Sequence, residues 1–273
     1  MRSLAPYHLL LLAATLLAGV LMPCVGCAAR ARAERASAAA GVWEPVGFSV
    51  RGQPILATTI APPAGAMPPR VLIVGGIHGN EREGLPAVDP LVEMLGRDSA
   101  GAHVRVVRDL NPDGTAARSR GNARGVDLNR NFPASNFSPS LQRGPAALSE
   151  PESNALAGEL ARFRPHVVIV FHSIARGPFV NFDGPGEALA SAFVSGAAPA
   201  DGRWRVEPSM GYPTPGSLGT LVGVDGGTPI LTVEFLRGHD APTAIASALG
   251  GVRAVLLHLR DMPGATWQRS GPS

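Results

Sequence analysis

A histidine and a glutamate stand three residues apart, directly after an apolar run of the chain. The stretch RVLIVGG leads into IHGNEREG, in which His78 and Glu81 form an H-x-x-E pair. Polar side chains at the end of a buried strand are costly unless they bind something there. An imidazole and a carboxylate can share one cation, and Zn²⁺ accepts such ligands at about 2.0–2.2 Å. The pair is a candidate metal site, and a solvated loop is the alternative that the spacing alone leaves open.

A catalytic zinc site needs a third protein ligand and an open position for water. His172 stands at the end of the apolar run HVVIVFHS, and Glu234 stands near the end of PILTVEF. In α/β sheets, ligands bind where loops leave the strand ends. One cleft can therefore collect His78, His172 and Glu234. A hydrogen-bonded core histidine is the alternative interpretation of His172.

Short runs rich in Val and Ile alternate with helical segments along the chain. The runs RVLIVGG, HVRVVRDL, HVVIVFHS and PILTVEF are typical of strands buried on both faces, and GFSVRGQPILATTI predicts a hairpin. A helix is predicted from LSEPESNALAGELARF, with a capping box between Ser149 and Glu152, and another from HDAPTAIASALGGVRAVLLHLRDM. This alternation predicts an α/β sandwich, with a mixed, mostly parallel central sheet and helices on both faces.

The first 27 residues have the layout of an export signal, with one Arg, a short apolar core and then small residues. The stretch VGC, which ends at Cys27, is similar to the bacterial lipoprotein cleavage site, although Cys24 stands where that pattern prefers Leu. Cleavage after Ala33 and an uncleaved anchor helix are the alternatives. In each case the folded part is expected outside the cytoplasm, in the periplasm, the cell envelope or the medium, with a lipid anchor at Cys27 as one option.

The composition shifts after the signal and again near the end of the chain. Residues 28–41 are rich in Ala and Arg without an apolar face and are predicted to form a linker. The catalytic domain is expected over residues 42–262, followed by a C-terminal tail over residues 263–273. Both cysteines lie in the signal, so the domain contains no disulfide.

The overall composition argues for a globular protein and against nucleic acid as a partner. Of the 273 residues, 45% are hydrophobic and 16% are charged, which is too apolar for a disordered chain. The net charge of +3 is small and the basic residues form no run, unlike a nucleic-acid-binding surface. Membrane contact is expected only through the anchor at Cys27.

An ordered set of motifs resembles the zinc carboxypeptidase family, in particular its bacterial murein peptide amidase branch. In chain order the motifs are GGIHGNE, NPDG, RGNARGVDLNRNFP, SEPE, FHS, GYPTPGS and TVEF. The resemblance covers roughly residues 70 to 240, and GVDLNRNFP is its most specific piece. It implies a zinc carboxypeptidase-like α/β/α sandwich and a hydrolase that uses one Zn²⁺ ion.

The resemblance also implies the residues of the metal centre. His78, Glu81 and His172 match the zinc ligands, the His₂Glu set found in carboxypeptidase A. Asp127 matches the carboxylate that orients the first histidine ligand. Glu234 matches the general base that takes a proton from the zinc-activated water.

A second group of matches concerns the substrate. Asn129 and Arg130 match the pair that binds the terminal carboxylate, a task that suits a planar guanidinium. Arg120 matches the arginine that polarises the scissile carbonyl. Tyr212 lies near the position of the mobile tyrosine that covers the substrate. Asp183 and Arg176 are polar residues that can contact the substrate, and a turn role for DGPG is the alternative for Asp183.

The expected function is a secreted or lipid-anchored zinc carboxypeptidase or amidase that acts on short peptides. The expected substrates are cell-wall muropeptides, with cleavage between γ-D-glutamate and a terminal diamino acid. One alternative is an N-acyl amino acid deacylase similar to aspartoacylase and succinylglutamate desuccinylase. A non-catalytic, zinc-dependent peptide-binding lipoprotein is the other alternative.

Overall fold

The computed structural model describes residues 42–62 and 68–262. The predicted signal, linker and C-terminal tail, with both cysteines, lie outside the described residues, so these boundaries stay predictions.

The Val- and Ile-rich runs form the middle of one sheet. The described residues form eight strands: β1 (Glu44–Phe48), β2 (Pro54–Ile60), β3 (Arg70–Val74), β4 (His103–Val107), β5 (Val167–Ile174), β6 (Phe179–Asp183), β7 (Arg205–Glu207) and β8 (Ile230–Leu236). Their order across the sheet is β1-β2-β4-β3-β5-β8-β6-β7. The central strands β4, β3, β5 and β8 run parallel, and β1 pairs antiparallel with β2 as the hairpin pattern predicts. The predicted mixed sheet is confirmed.

In the part of the chain that the structure describes, five α-helices lie around this sheet. They are α1 (Val88–Arg97), α2 (Pro112–Ala117), α3 (Pro151–Phe163), α4 (Glu187–Ala197) and α5 (Ala241–Asp261). Shorter helical turns cover Leu85–Ala87, Leu128–Arg130 and Thr220–Asp225.

Each face of the sheet has its own hydrophobic core, because alternate strand residues point in opposite directions. On one face, Val71 and Ile73 of β3 pack in a core that includes residues of α1, α4 and α5. On the other face, Leu72 and Val74 pack with Leu156 of α3. This alternation explains why the central strands read as continuous apolar runs.

The predicted capping box at the start of α3 is wrong. Glu150 rather than Ser149 is the N-cap residue, and no side chain caps the helix. The carboxylate of Glu152 is fully buried and instead accepts hydrogen bonds from Val50 N–H and Asn122 Nδ2, both at 3.0 Å. Glu152 therefore joins α3 to two distant loops. These long-range contacts cannot be predicted from the residues around Glu152.

The predicted strand-end positions of two site residues also need correction. β5 continues two residues beyond His172, to Ile174, and β8 continues two residues beyond Glu234, to Leu236. The two residues lie side by side in the parallel pairing of these strands. The register of the sheet, rather than two separate loops, brings them together.

Helix α5 has the length and mean hydropathy, 1.3, of a membrane-spanning helix. Its residues Ala244, Ala248, Val252 and Leu256 are buried in the core against the sheet. This packing is typical of a core helix in a globular domain.

Candidate metal centre and substrate cavity

The loop after β3 carries the H-x-x-E pair through a turn that depends on glycine. Gly76 has φ of +65°, which glycine adopts without strain. At Gly79 a Cβ atom would overlap the backbone of Gly114 in α2, so only glycine permits this approach. The loop therefore lies tightly against α2 and directs His78 and Glu81 into the interior, where both side chains are buried.

Three donor atoms meet at one point. His78 Nδ1 lies 3.0 Å from Glu81 Oε2, and His172 Nδ1 lies 2.8 Å from the same oxygen. The two Nδ1 atoms are 3.1 Å apart. The three residues are buried, and they form a His–Glu–His group able to hold a metal ion.

Asp127 fixes the orientation of His78. Its Oδ1 lies 2.9 Å from His78 Nε2 and also accepts a hydrogen bond from Asn129 N–H at 3.0 Å. Because a carboxylate only accepts, His78 Nε2 carries the proton and His78 Nδ1 keeps its lone pair for a cation. Asp127 Oδ2 accepts from Arg120 Nε at 2.9 Å. Burial opposes ionisation of Asp127, but His78 and Arg120 outweigh it and hold its pKa well below the usual range.

The donor set fits Zn²⁺. Ligand atoms about 2.1 Å from a tetrahedral zinc lie about 3.4 Å apart, close to the separations of the three donors. Burial raises the pKa of the Glu81 carboxyl, but His78 and His172 outweigh this effect and hold it well below its usual range. Glu81 therefore offers an anionic oxygen beside two imidazole nitrogens.

Glu234 lies beside this group but outside it. It pairs with His172 across β5 and β8, and its Oε2 is buried without a hydrogen-bond partner among the described residues. Burial raises the pKa of its carboxyl, and the nearby Glu81 carboxylate acts in the same direction. A buried carboxylate without a partner is costly, so its position points to a group that binds there.

The His–Glu–His group and Glu234 open into a cavity of about 240 Å³. The residues that the sequence assigns to the substrate also line it, namely Arg120, Asn129, Arg130 and Tyr212. The loop that carries Arg130 also positions Asn129, whose Oδ1 accepts a hydrogen bond from Leu218 N–H at 2.9 Å. Asn129 Nδ2 is therefore the side-chain atom that can donate to a ligand.

Comparison with known proteins identifies the family to which a chain with this site belongs. A family model described as zinc carboxypeptidase matches residues 39–188. The chain is 33% identical to murein peptide amidase A of Escherichia coli strain K12 over 227 residues, which cover 76% of this chain and 86% of that protein. The chain belongs to the zinc carboxypeptidase family. It is a hydrolase, and its cofactor is zinc.

Other members of the family show similar coverage. Murein peptide amidase A of Vibrio campbellii is 27% identical over 232 residues, 79% of this chain and 88% of that protein. The crystal structure of murein-tripeptide amidase MpaA from E. coli O157 has a TM-score of 0.60 and 28% identity, covering 83% of this chain and 96% of that one. Carboxypeptidase A from Helicoverpa armigera, at 19% identity and a TM-score of 0.68, shares the fold.

The structure separates Arg120 from its neighbours in sequence. Arg120 Nη1 donates to Glu81 Oε1 at 2.5 Å, and the side chain lines the cavity. Arg124 instead pairs with Glu150 at 3.2 Å, and Arg118 ends α2 in a left-handed conformation. Arg120 alone of the three therefore lies where it can contact a scissile carbonyl.

Two further charged residues, Asp183 and Arg237, line the cavity. The sequence pointed to Asp183 but not to Arg237. Asp183, at the end of β6, is one of the two polar residues considered for substrate contact, and burial raises the pKa of its carboxyl. Arg176, the other, is not among the lining residues, and its Nη2 donates to Met210 O at 2.9 Å. Arg237 is the residue that the sequence analysis missed. Its position three residues after Glu234 was the available signal.

Proposed function

We propose that this protein is an exported zinc amidase that hydrolyses the amide bond between γ-D-glutamate and a terminal diamino acid in cell-wall muropeptides. The observation that carries the proposal is one cavity that contains the His–Glu–His group, the cationic Arg130, and Glu234, whose Oε2 has no hydrogen-bond partner among the described residues. The named relatives support the class of substrate, since two of them are murein peptide amidases with similar coverage of the chain.

The residues of the cavity divide the chemistry between them. Zinc held by His78, Glu81 and His172 supplies Lewis acidity, which polarises a carbonyl and lowers the pKa of water. Glu234 accepts a proton from the attacking water at its free Oε2 and returns it to the leaving amine. Burial raises the pKa of the Glu234 carboxyl, and a carboxylate with a higher pKa is a stronger proton acceptor. Arg120 donates hydrogen bonds to the oxygen of the scissile carbonyl.

The leaving group is held by charge at both of its ends. Arg130 is half-buried, and among the described residues its guanidinium forms no ion pair and donates only to Asn129 O at 2.7 Å. A free terminal carboxylate can therefore bind to Arg130 and to Asn129 Nδ2. The Asp183 carboxylate supplies a negative group in the same cavity, which supports a leaving residue with an ammonium group in its side chain.

The proposed location rests on the N-terminal sequence. Residues 1–27 have the layout of an export signal, so we expect the domain to act outside the cytoplasm, where peptidoglycan lies, and we propose Cys27 as the site of a lipid anchor.

Mass spectrometry of purified muropeptides incubated with the protein tests the proposed function. We expect release of a free diamino acid or of the peptide that begins with it, and we expect a zinc chelator to stop the release. An N-acyl amino acid in a parallel incubation tests the deacylase alternative. Turnover of the acyl amino acid alone would reject the amidase proposal, and zinc binding without any turnover would favour the peptide-binding alternative.

Replacing Arg130 with Ala is expected to raise KM for substrates with a free terminal carboxylate. Loss of one partner of a buried charge pair costs about 2–5 kcal/mol, and the half-buried position favours the lower end, an increase of about 30-fold. Steady-state kinetics with a free and a C-terminally amidated substrate provide the measurement. The amidated substrate should respond little, and an equal loss on both substrates would make Arg130 a structural residue. Arg253→Ala, an exposed change on α5, controls for net charge.

A further inference from the structure

One cationic side chain of the cavity has no role in the chemistry described so far. Arg237 follows the end of β8 and lines the cavity together with Ser173 and Ile174. Its Nη2 donates to Ser173 O at 3.3 Å, a long hydrogen bond. Within residues 42–62 and 68–262, no carboxylate lies within salt-bridge distance of this guanidinium, and the Glu83 carboxylate interacts with it electrostatically from further away. Arg237 is exposed, so its charge is available to a ligand in the cavity.

The backbone around Arg237 is fixed on both sides. Arg237 N–H donates to Ile174 O at 3.0 Å, and the next residue, Gly238, donates its N–H to Glu83 Oε1 at 2.9 Å. The side chain therefore starts from a defined point at the rim.

The register of the sheet gives the order of groups along the cavity. Asp183 of β6 pairs with Ile230 of β8, and Asn181 pairs with Thr232. Glu234 lies four residues after Ile230 on β8, which corresponds to about 13 Å at the usual rise per residue. Arg237 lies beyond Glu234 in the same direction, directly after the last residue of β8, Leu236. Asp183 and Arg237 therefore mark opposite ends, with Glu234 between them.

The end near Asp183 belongs to the leaving group. Asn129, which is expected to bind the terminal carboxylate, is hydrogen-bonded to Leu218 N–H. The next residue, Gly219, lies so close to Asp183 that a Cβ atom there would overlap the carboxylate. Asn129 and Asp183 thus lie at the same end, and the acyl part of the substrate must extend towards Arg237.

A γ-linked glutamyl residue differs from an ordinary peptide on this acyl side. Its α-carboxylate is not used in the chain and remains free, separated by three carbons from the scissile γ-carbonyl carbon. We propose that Arg237 binds this free α-carboxylate and so favours γ-glutamyl substrates over acyl groups that lack a carboxylate at this position. The proposal rests on the proposed function and names the part of the substrate that the acyl end of the cavity recognises. A guanidinium suits this task because it can form two parallel hydrogen bonds to a carboxylate.

The test compares two substrates that differ only at that carboxylate. One is the tripeptide L-Ala-γ-D-Glu-diaminopimelate, and the other carries a carboxamide in place of the glutamyl α-carboxylate. We expect the unaltered protein to have a kcat/KM about tenfold higher for the carboxylate, in line with one hydrogen-bonded charge pair. Arg237→Gln should lose that factor on the carboxylate substrate and leave the carboxamide unchanged. Arg253→Gln, which removes an exposed positive charge on α5, should keep the preference.

Binding provides a readout that does not depend on turnover. In a Glu234→Gln background, calorimetry should show the same loss of affinity on adding Arg237→Gln, again for the carboxylate only. Equal losses on both substrates, or no preference in the unaltered protein, would overturn the Arg237 role while leaving the amidase function intact. If the unaltered protein cleaves neither substrate, the murein substrate is wrong and the Arg237 role fails with it.

Discussion

Replacing Glu234 with Gln is expected to lower kcat about 10²–10⁴-fold, the usual contribution of general acid–base catalysis. Gln keeps the shape and the hydrogen-bonding capacity of the side chain but cannot accept a proton. Glu234 is not a member of the His–Glu–His group, so zinc content should stay near that of the unaltered protein. The melting temperature should not fall, because Glu234 Oε2 has no hydrogen-bond partner to lose among the described residues.

Zinc content, melting temperature and kcat measured on the same Glu234→Gln preparation decide the role of this residue. A lower melting temperature with substantial turnover per folded molecule would make Glu234 structural and remove the proposed base. Glu207→Gln is a useful control, because Glu207 is a glutamate of β7 that does not line the cavity.

Replacing His172 with Ala is expected to remove most of the bound zinc and, with it, the activity. Changing the hydrogen-bond partner of a ligand already costs about 10–100-fold in metal affinity, and loss of the ligand itself should cost more. His172 is buried on β5, so an alanine there leaves only His78 and Glu81 as metal ligands and an empty space in place of the imidazole. Elemental analysis after dialysis measures the metal, and muropeptide turnover measures the activity.

A matched histidine keeps this experiment specific. His103 lies at the start of β4 and packs edge-on against Phe163, away from the His–Glu–His group. His103→Ala should therefore keep its zinc. Full retention of zinc by His172→Ala would exclude His172 as a ligand and reject the proposed metal set.

The chemistry was easier to predict from sequence than the geometry that produces it. His78 and Glu81 lie in one short loop, so their spacing alone brings them together. His172 and Glu234 are far from them in the chain, and their meeting depends on the order β3-β5-β8 in the sheet. The apolar runs predicted those strands, but not their pairing. Because of this, the two residues were expected at strand ends, whereas they lie inside the strands.

The parts that sequence reasoning missed depend on distant contacts. Strands β6 and β7 and helix α4 are not among the elements predicted from the sequence, and β6 is held by its pairing with β8. The N-terminus of α3 has the sequence of a capping box, but the Glu152 carboxylate binds Val50 and Asn122 of two distant loops instead. Arg237 carried no motif, and its role follows only from its place relative to Glu234 and Asp183.

Along strands β6 and β8, residues that pack in the core alternate with residues that face the cavity. On β8, Leu231, Val233 and Phe235 pack in the core, while Thr232 and Glu234 face the cavity. On β6, Val180 lies in the core and the residues Asn181 and Asp183 face the cavity. Selection for stability and selection for substrate choice therefore act on different positions of the same strands. Cavity positions can diverge between relatives while the core stays unchanged, but a one-residue deletion in either strand would exchange the two sets.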